Sequence, residues 1–129
     1  MLKKIEHEYA VYLFEQGFFQ DAARLFDEIL REEESAELWS DWATAQFALS
    51  RYEQAGRGFR RALELEPDLN EAVVNYGTLL AGLQRWPEAI EMFERVLPRL
   101  APENRAAVSD LAEQCRAQQS QVDLASAVR

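Results

Sequence analysis

Apolar residues recur along this chain three and four positions apart, which is the periodicity of amphipathic α-helices. The pattern is clearest in residues 50–68, where proline at position 67 ends the helix, because it disfavours the α conformation in the residue before it. Ser50 and Glu53 have the spacing of a capping box, so we expect Ser50 to cap this helix. Its predicted apolar face consists of Ala55, Phe59, Ala62 and Leu63.

The same periodicity extends over the rest of the chain and predicts an all-α protein. Six further helices are expected, at residues 2–16, 20–31, 36–49, 71–83, 87–97 and 102–118. The first of them has a predicted inward face made of Ile5, Tyr9, Ala10, Leu13 and Phe14. Residues 119–129 are sparsely apolar, and the pattern leaves open whether they extend the last helix or form a loose tail.

One motif occurs three times, separated by 33 and then 34 residues, as Ala22-x3-Phe26, Ala55-x3-Phe59 and Ala89-x3-Phe93. Each copy follows an aromatic residue and a small one, in Tyr9-Ala10, Trp42-Ala43 and Tyr76-Gly77. A period of this length is typical of helical repeat proteins. In these residues the chain resembles the tetratricopeptide repeat family.

The resemblance implies a right-handed α-solenoid of three helical hairpins followed by a C-terminal capping helix. The whole chain, residues 1–129, would be a single domain. Its repeats are expected at about residues 3–35, 36–69 and 70–103, with the capping helix and tail at 104–129.

Small residues are expected where two helices of a hairpin approach each other, since close approach requires short side chains. These residues are Ala10, Ala43 and Gly77 on the first helices, and Ala22, Ala55 and Ala89 on the second. The rings of Phe26, Phe59 and Phe93 are expected to fill the space between hairpins. Core packing is likewise the expected role of Trp39 and Trp42.

The charge of the chain restricts its partners. It carries 14 basic and 23 acidic residues, for a formal net charge of −9. Such a chain is repelled by nucleic-acid backbones and by anionic membranes, so we expect neither as a partner. No run of 18 apolar residues predicts a membrane span, and the first residues lack the apolar core of an export signal, so a cytoplasmic location is expected.

The sequence offers little for catalysis or metal binding. His7 is the only histidine and Cys115 the only cysteine, so no histidine-cysteine metal cluster and no Ser-His-Asp triad can be assembled. The Cys115 side chain is expected to be a small buried hydrophobic group. We therefore expect no cofactor and no enzymatic activity.

The resemblance implies that a peptide or a partner helix binds in a concave groove lined by the first helix of each hairpin. The residues at the corresponding positions are His7, Val11, Phe14, Asp41, Thr44, Phe47, Glu71, Val74, Asn75 and Thr78. The family's readers of acidic chaperone tails hold a terminal carboxylate with basic residues, whereas Asp41 and Glu71 here would repel one. The sequence instead favours a basic, amphipathic protein segment as the partner. The alternative interpretation is that these are ordinary solvated positions.

Two other functions are compatible with the sequence. The chain resembles, more loosely, repeats found beside bacterial glycosyltransferase and methyltransferase domains, so it could be an accessory domain of a larger enzyme. It could also be a self-associating scaffold, because an open end of a helical repeat array exposes apolar surface.

Overall fold

The computed structural model describes residues 2–128, with side chains from residue 3 onward, and confirms the all-α prediction. The described residues form seven α-helices and no strand. Their bounds are α1 Leu2–Glu15, α2 Phe19–Leu30, α3 Ala36–Ala48, α4 Tyr52–Leu65, α5 Asn70–Gly82, α6 Trp86–Val96 and α7 Pro102–Val128. A short 3-10 turn, Leu97–Arg99, follows α6 and contains Pro98, which cannot donate a backbone hydrogen bond to continue the α-helix.

The hairpin turns repeat with the period of the sequence motif. Gly17, Ser50 and Gln84 each have a left-handed backbone, with φ of 89°, 61° and 61°. At each turn the amide of this residue donates to the carbonyl three positions back, and the next amide donates to the carbonyl five positions back, at 2.9–3.0 Å. This is the Schellman arrangement that ends an α-helix.

The capping prediction for Ser50 is therefore wrong. Ser50 lies just beyond the end of α3, and its left-handed backbone belongs to that helix end. The residue that precedes α4 is Arg51, and its side chain makes no capping hydrogen bond. The prediction failed because the Ser-x-x-Glu pattern does not distinguish the start of one helix from the end of the previous one. Ser35, by contrast, caps α3 by accepting a hydrogen bond from the amide of Leu38 at 3.1 Å.

Replacing Gln84 with glycine is expected to stabilise the protein by about 1 kcal/mol. A side chain on a left-handed backbone costs about 1–2 kcal/mol, and the greater freedom of glycine in the unfolded chain removes part of that gain. Urea denaturation followed by circular dichroism measures the change. The matched control, Gln114→Gly at an exposed position in the middle of α7, should lose about 1 kcal/mol. Equal losses in both variants would contradict the assignment of the turn.

The chain forms two compact units, Met1–Ala72 and Val73–Arg129, with the boundary inside α5. The first unit has a core contributed by α1, α2 and α3. Its fully buried members are Ala10, Ala22, Ala23, Phe26, Ile29, Leu38 and Ala45. The residues predicted at the helix contacts, including Ala43 and Ala55, are also inaccessible to solvent. Helices α3 and α4 approach most tightly around a glycine that the motif did not predict, since a Cβ on Gly58 would lie 2.8 Å from the Cβ of Ala43.

In the second unit, α5 from Val73 onward packs against α6 through Gly77 and Phe93, and α7 packs against α6. Gly77 makes room for the buried ring of Phe93, because an added Cβ would lie 2.7 Å from that ring. Val108, Ala112 and Cys115 are the buried residues of α7, which confirms the expected role of Cys115. The helix continues to Val128, so the described part of 119–129 is a helical extension and not a loose tail.

Two expectations about the cores need correction. Ile5 and Tyr9 were expected to face inward, but each is 55% exposed, and the ring of Tyr9 stacks on that of Tyr12 on the outer side of α1. Trp39 and Trp42 were expected to be core residues, but both are only partly buried; Trp42 does pack against the core of the first unit. Phe26, Phe59 and Phe93 are buried as predicted, with at most 1% of each exposed.

Candidate functional site

The first unit contains a small pocket lined by side chains of α1, α2, α3 and the start of α5. We call it the acidic pocket, and its volume is about 180 Å³. Its lining residues are Val11, Phe14, Glu15, Phe26, Asp41, Thr44 and Glu71. Three of them are acidic and none is basic, while Val11, Phe14 and Phe26 supply an apolar wall. The pocket therefore combines negative charge with hydrophobic surface.

A second cavity of about 380 Å³ shares Val11 and Asp41 with the acidic pocket. We call it the His7 cavity, and its lining residues are Lys4, His7, Glu8, Val11, Glu37 and Asp41. The two cavities together hold five carboxylates, with one lysine and one histidine as the basic groups. This excess of negative charge persists even when His7 is protonated.

Helical spacing explains why these side chains meet. Val11 and Phe14 are three positions apart on α1, as are Asp41 and Thr44 on α3, so each pair shares a face of its helix. The Thr44 hydroxyl donates to the Ser40 carbonyl at 2.9 Å within α3. With its donor occupied, Thr44 offers the pocket a methyl group and an acceptor oxygen.

Burial and two nearby carboxylates raise the pKa of Glu71. Partial removal of the Glu71 carboxyl from water is the largest cause, followed by the negative charges of Asp41 and then Glu37. Like charges that disfavour ionisation are relieved when a cation binds among them.

His7 has a fixed position in its cavity. Its Nε2 atom lies 2.7 Å from Oδ2 of Asp41, and its ring contacts the buried ring of Phe26 edge-on, with centroids 5.8 Å apart. The hydrogen bond to Asp41 raises the pKa of His7 above its ordinary value of 6.5, while burial lowers it and the charges of Asp41, Glu37 and Glu33 raise it further. The net effect is a raised pKa, so the imidazolium is favoured.

The pairing of His7 with Asp41 makes stability depend on pH. The pKa of His7 is higher in the folded than in the unfolded protein. The stabilisation that protonated His7 provides is therefore complete below its unfolded pKa and is lost as pH rises through its folded pKa. The free-energy difference in unfolding between wild type and His7→Gln should thus be larger near about pH 5 than near about pH 9. Proton NMR of the single histidine gives its pKa directly, and Asp41→Asn should return that pKa towards its ordinary value. A wild-type pKa at or below the ordinary value would rule out the predicted pairing.

The structure brings together half of the predicted site residues in the acidic pocket. Val11, Phe14, Asp41, Thr44 and Glu71 line it, and His7 lies in the adjoining cavity. Phe47 packs instead against Tyr52 at the start of α4, with ring centroids 5.8 Å apart. Val74, Asn75 and Thr78 lie on α5 in the second unit, where Thr78 donates to the Val74 carbonyl at 2.9 Å, and their role stays a prediction.

Several lining residues were not predicted. Lys4 and Glu8 belong to the His7 cavity and Phe26 to the acidic pocket. Lys4 lies three residues before His7 and four before Glu8 on α1, which is the only sequence pattern that indicates these two residues. Within the part of the chain that the structure describes, no group of three or more His, Cys, Asp or Glu residues is arranged to hold a metal ion. No helix in residues 2–128 is both long and apolar enough to cross a membrane.

Three solved structures illustrate the likeness of this fold to known proteins. The first TPR of Spaghetti (RPAP3), bound to the HSP90 peptide SRMEEVD, is 20% identical, with a TM-score of 0.84 over 92% of this chain and 93% of that one. Yeast Tom70 is 18% identical, with a TM-score of 0.83 over 97% of this chain. This chain spans only 26% of the Tom70 chain.

The third is the type III secretion translocator chaperone SycD of Yersinia enterocolitica. It is 13% identical, with a TM-score of 0.83 over 91% of this chain and 85% of that one. SycD has also been solved with a peptide of the translocator YopD. Identities this low establish a shared fold and no more.

No curated protein sequence matches this chain. A family model described as tetratricopeptide repeat matches residues 10–55 and 40–105, which together cover most of the chain. The three repeated motifs, the repeated helix-ending turns and the paired helices all agree with that match. The chain therefore belongs to the tetratricopeptide repeat family.

Proposed function

We propose that the first unit binds a cationic, amphipathic segment of a partner protein in the acidic pocket and the adjoining His7 cavity. The observation that carries the proposal is the lining of these cavities, where Val11, Phe14 and Phe26 lie beside five carboxylates. Apolar side chains of a ligand would be removed from water against the first group, while lysines or arginines would pair with the second. Binding, and not catalysis, is the function that this lining supports.

The structural relatives support the class of ligand but not its charge. RPAP3 was solved with an HSP90 peptide and SycD with a YopD peptide, so this fold holds peptides in other proteins. The HSP90 peptide SRMEEVD is rich in acidic residues. Asp41 and Glu71 would repel such a ligand, and we therefore propose the opposite charge preference for this chain.

Fluorescence anisotropy with a labelled lysine–leucine peptide tests the proposal. Its leucines follow helical spacing to form one apolar face, and lysines form the other face. We expect saturable binding that weakens as salt rises from about 50 to about 200 mM, because screening shortens the reach of surface charges. A counterpart with glutamine in place of lysine should bind at least about tenfold more weakly, a difference of about 1.4 kcal/mol. Equal binding of the two peptides, or none of either, would sink the proposal.

Two further hypotheses concern residues outside these cavities. The first hypothesis is that the predicted positions on α5 in the second unit take part in binding, and weaker binding of the lysine–leucine peptide by Asn75→Ala would support it. Self-association is a separate hypothesis, supported by Ile5, Tyr9 and Tyr12, each more than half exposed on α1.

A further inference from the structure

A larger cleft of about 780 Å³ lies in the first unit, between α2, α3 and α4. It shares no lining residue with the acidic pocket or the His7 cavity. We call it the tryptophan cleft, because the rings of Trp39 and Trp42 form part of its wall together with Leu30. A volume in the range of about 300–1,000 Å³ is typical of binding sites.

The two tryptophans are held in place by carboxylates. The indole N–H of Trp39 donates to Glu34 at 2.7 Å, and that of Trp42 donates to Asp27 at 2.6 Å. The rings meet nearly at right angles, at 85° with centroids 5.5 Å apart. Since both N–H groups are occupied, the rings offer a ligand their apolar surfaces and not their hydrogen-bond donors.

Glu34 also fixes one side of the cleft. Arg61 donates from Nε and Nη2 to its two carboxylate oxygens, at 2.6 and 2.9 Å, and from Nη1 to Glu64 at 2.9 Å. This fork-shaped pairing is among the more rigid ion pairs that proteins use. Gly58 provides space for the Trp42 ring, because an added Cβ would lie 2.8 Å from it. The cleft is thus largely formed before any ligand binds, which lowers the entropy lost on binding.

The lining of the tryptophan cleft is richer in arginine than the rest of this acidic chain. Four arginines line it against two acidic residues, and Glu34 and Glu53 pair with two of these arginines, Arg61 and Arg57, in a chain of net charge −9. Arg31, Arg57 and Arg60 are exposed at its rim. Arg57 pairs with Glu53 at 2.9 Å, but an exposed pair of this kind is weak, so a ligand carboxylate can replace it. Tryptophan and arginine are also the residues most enriched at the energetic centres of protein interfaces.

We propose that the tryptophan cleft docks an acidic segment of a partner protein, placing a large apolar side chain against Trp39 and Trp42 and carboxylates against Arg57 and Arg60. Apolar rings surrounded by guanidinium groups complement that chemistry. The negative charge of the remaining surface disfavours a long polyanion such as a nucleic acid. This surface is separate from the one under Proposed function and does not depend on it.

Indole resonances in a ¹⁵N NMR spectrum test the proposal, because the three tryptophans of the chain give three separate signals. The probe is a glutamate–leucine peptide with leucines at helical spacing. We expect it to shift the signals of Trp39 and Trp42 in a saturable way and to leave that of Trp86 in place. Unmoved Trp39 and Trp42 signals at millimolar peptide would overturn the proposal, and so would stronger shifts with a short single-stranded DNA.

Charge reversal at the rim provides the matched test. Arg57→Glu with Arg60→Glu should weaken binding of the glutamate–leucine peptide by about tenfold or more, which corresponds to about 1.4 kcal/mol. The reason is that the new glutamates would repel the glutamates of the peptide. Arg85→Glu with Arg95→Glu makes the same change in net charge at exposed positions that do not line the cleft, and it should change affinity little. Circular dichroism confirms that each variant is folded. If both pairs weaken binding equally, the charge of the whole chain is responsible and the assignment of the cleft is wrong.

Discussion

Replacing Phe59 with alanine is expected to destabilise the protein by about 3–5 kcal/mol, the range for truncating a buried ring. Only 1% of Phe59 is exposed, and its neighbours along α4, Ala55 and Ala62, are fully buried. The packed helices cannot collapse onto the space left by the ring without moving their backbones, so most of the cavity persists. Chemical denaturation monitored by circular dichroism measures the loss.

The same substitution at an exposed phenylalanine serves as the control. Phe18 is 56% exposed in the turn before α2, so Phe18→Ala should change stability by no more than about 0.5 kcal/mol. If the two variants lost similar amounts, the recurring phenylalanines would not be the residues that hold the helices together.

The fold was predictable because its determinants are local and repeated. The Ala-x3-Phe motifs place a small residue and a ring on one face of every second helix, and Pro67 and Pro98 mark helix ends. The turn at Ser50 was not predictable in the same way. Its left-handed backbone depends on how α3 ends, and serine gives no indication of that conformation, unlike glycine in the equivalent turn at Gly17.

Reversing two charges in the acidic pocket is expected to weaken binding of the lysine–leucine peptide by about 100-fold, which corresponds to about 2.7 kcal/mol. The variant is Asp41→Lys with Glu71→Lys. Both carboxylates line the pocket, and the charge of Asp41 contributes to the raised pKa of Glu71, so the two groups act on the same small volume. Lysines at these positions would repel the ligand in place of attracting it. Fluorescence anisotropy gives both affinities.

Net charge must be separated from local charge in that comparison. Glu28→Lys with Glu91→Lys changes the net charge by the same amount at exposed positions on α2 and α6. Neither residue lines the acidic pocket or the His7 cavity, and salt at physiological strength weakens the effect of exposed charges, so this control should bind within about threefold of wild type. Comparable losses in the two double variants would show that the peptide responds to overall charge and not to the pocket.

The candidate site was predictable only in part. The family resemblance, read at helical register, was sufficient to indicate Val11, Phe14, Asp41 and Thr44, which line one pocket. Register alone could not show that Phe47 packs against Tyr52. Nor could it show that Trp39 and Trp42 are only partly buried. Their indole N–H groups donate to Glu34, in the loop before α3, and to Asp27, on α2, and the register of α3 alone does not indicate these partners.

The most direct test of the central claim is a map of backbone amide shifts in the ¹⁵N-labelled protein during titration with the lysine–leucine peptide. The account predicts that the largest shifts occur at Val11, Asp41 and Thr44, and that they saturate together. Largest shifts around Arg57 and Arg60, or no saturable shifts at the acidic pocket, would contradict it.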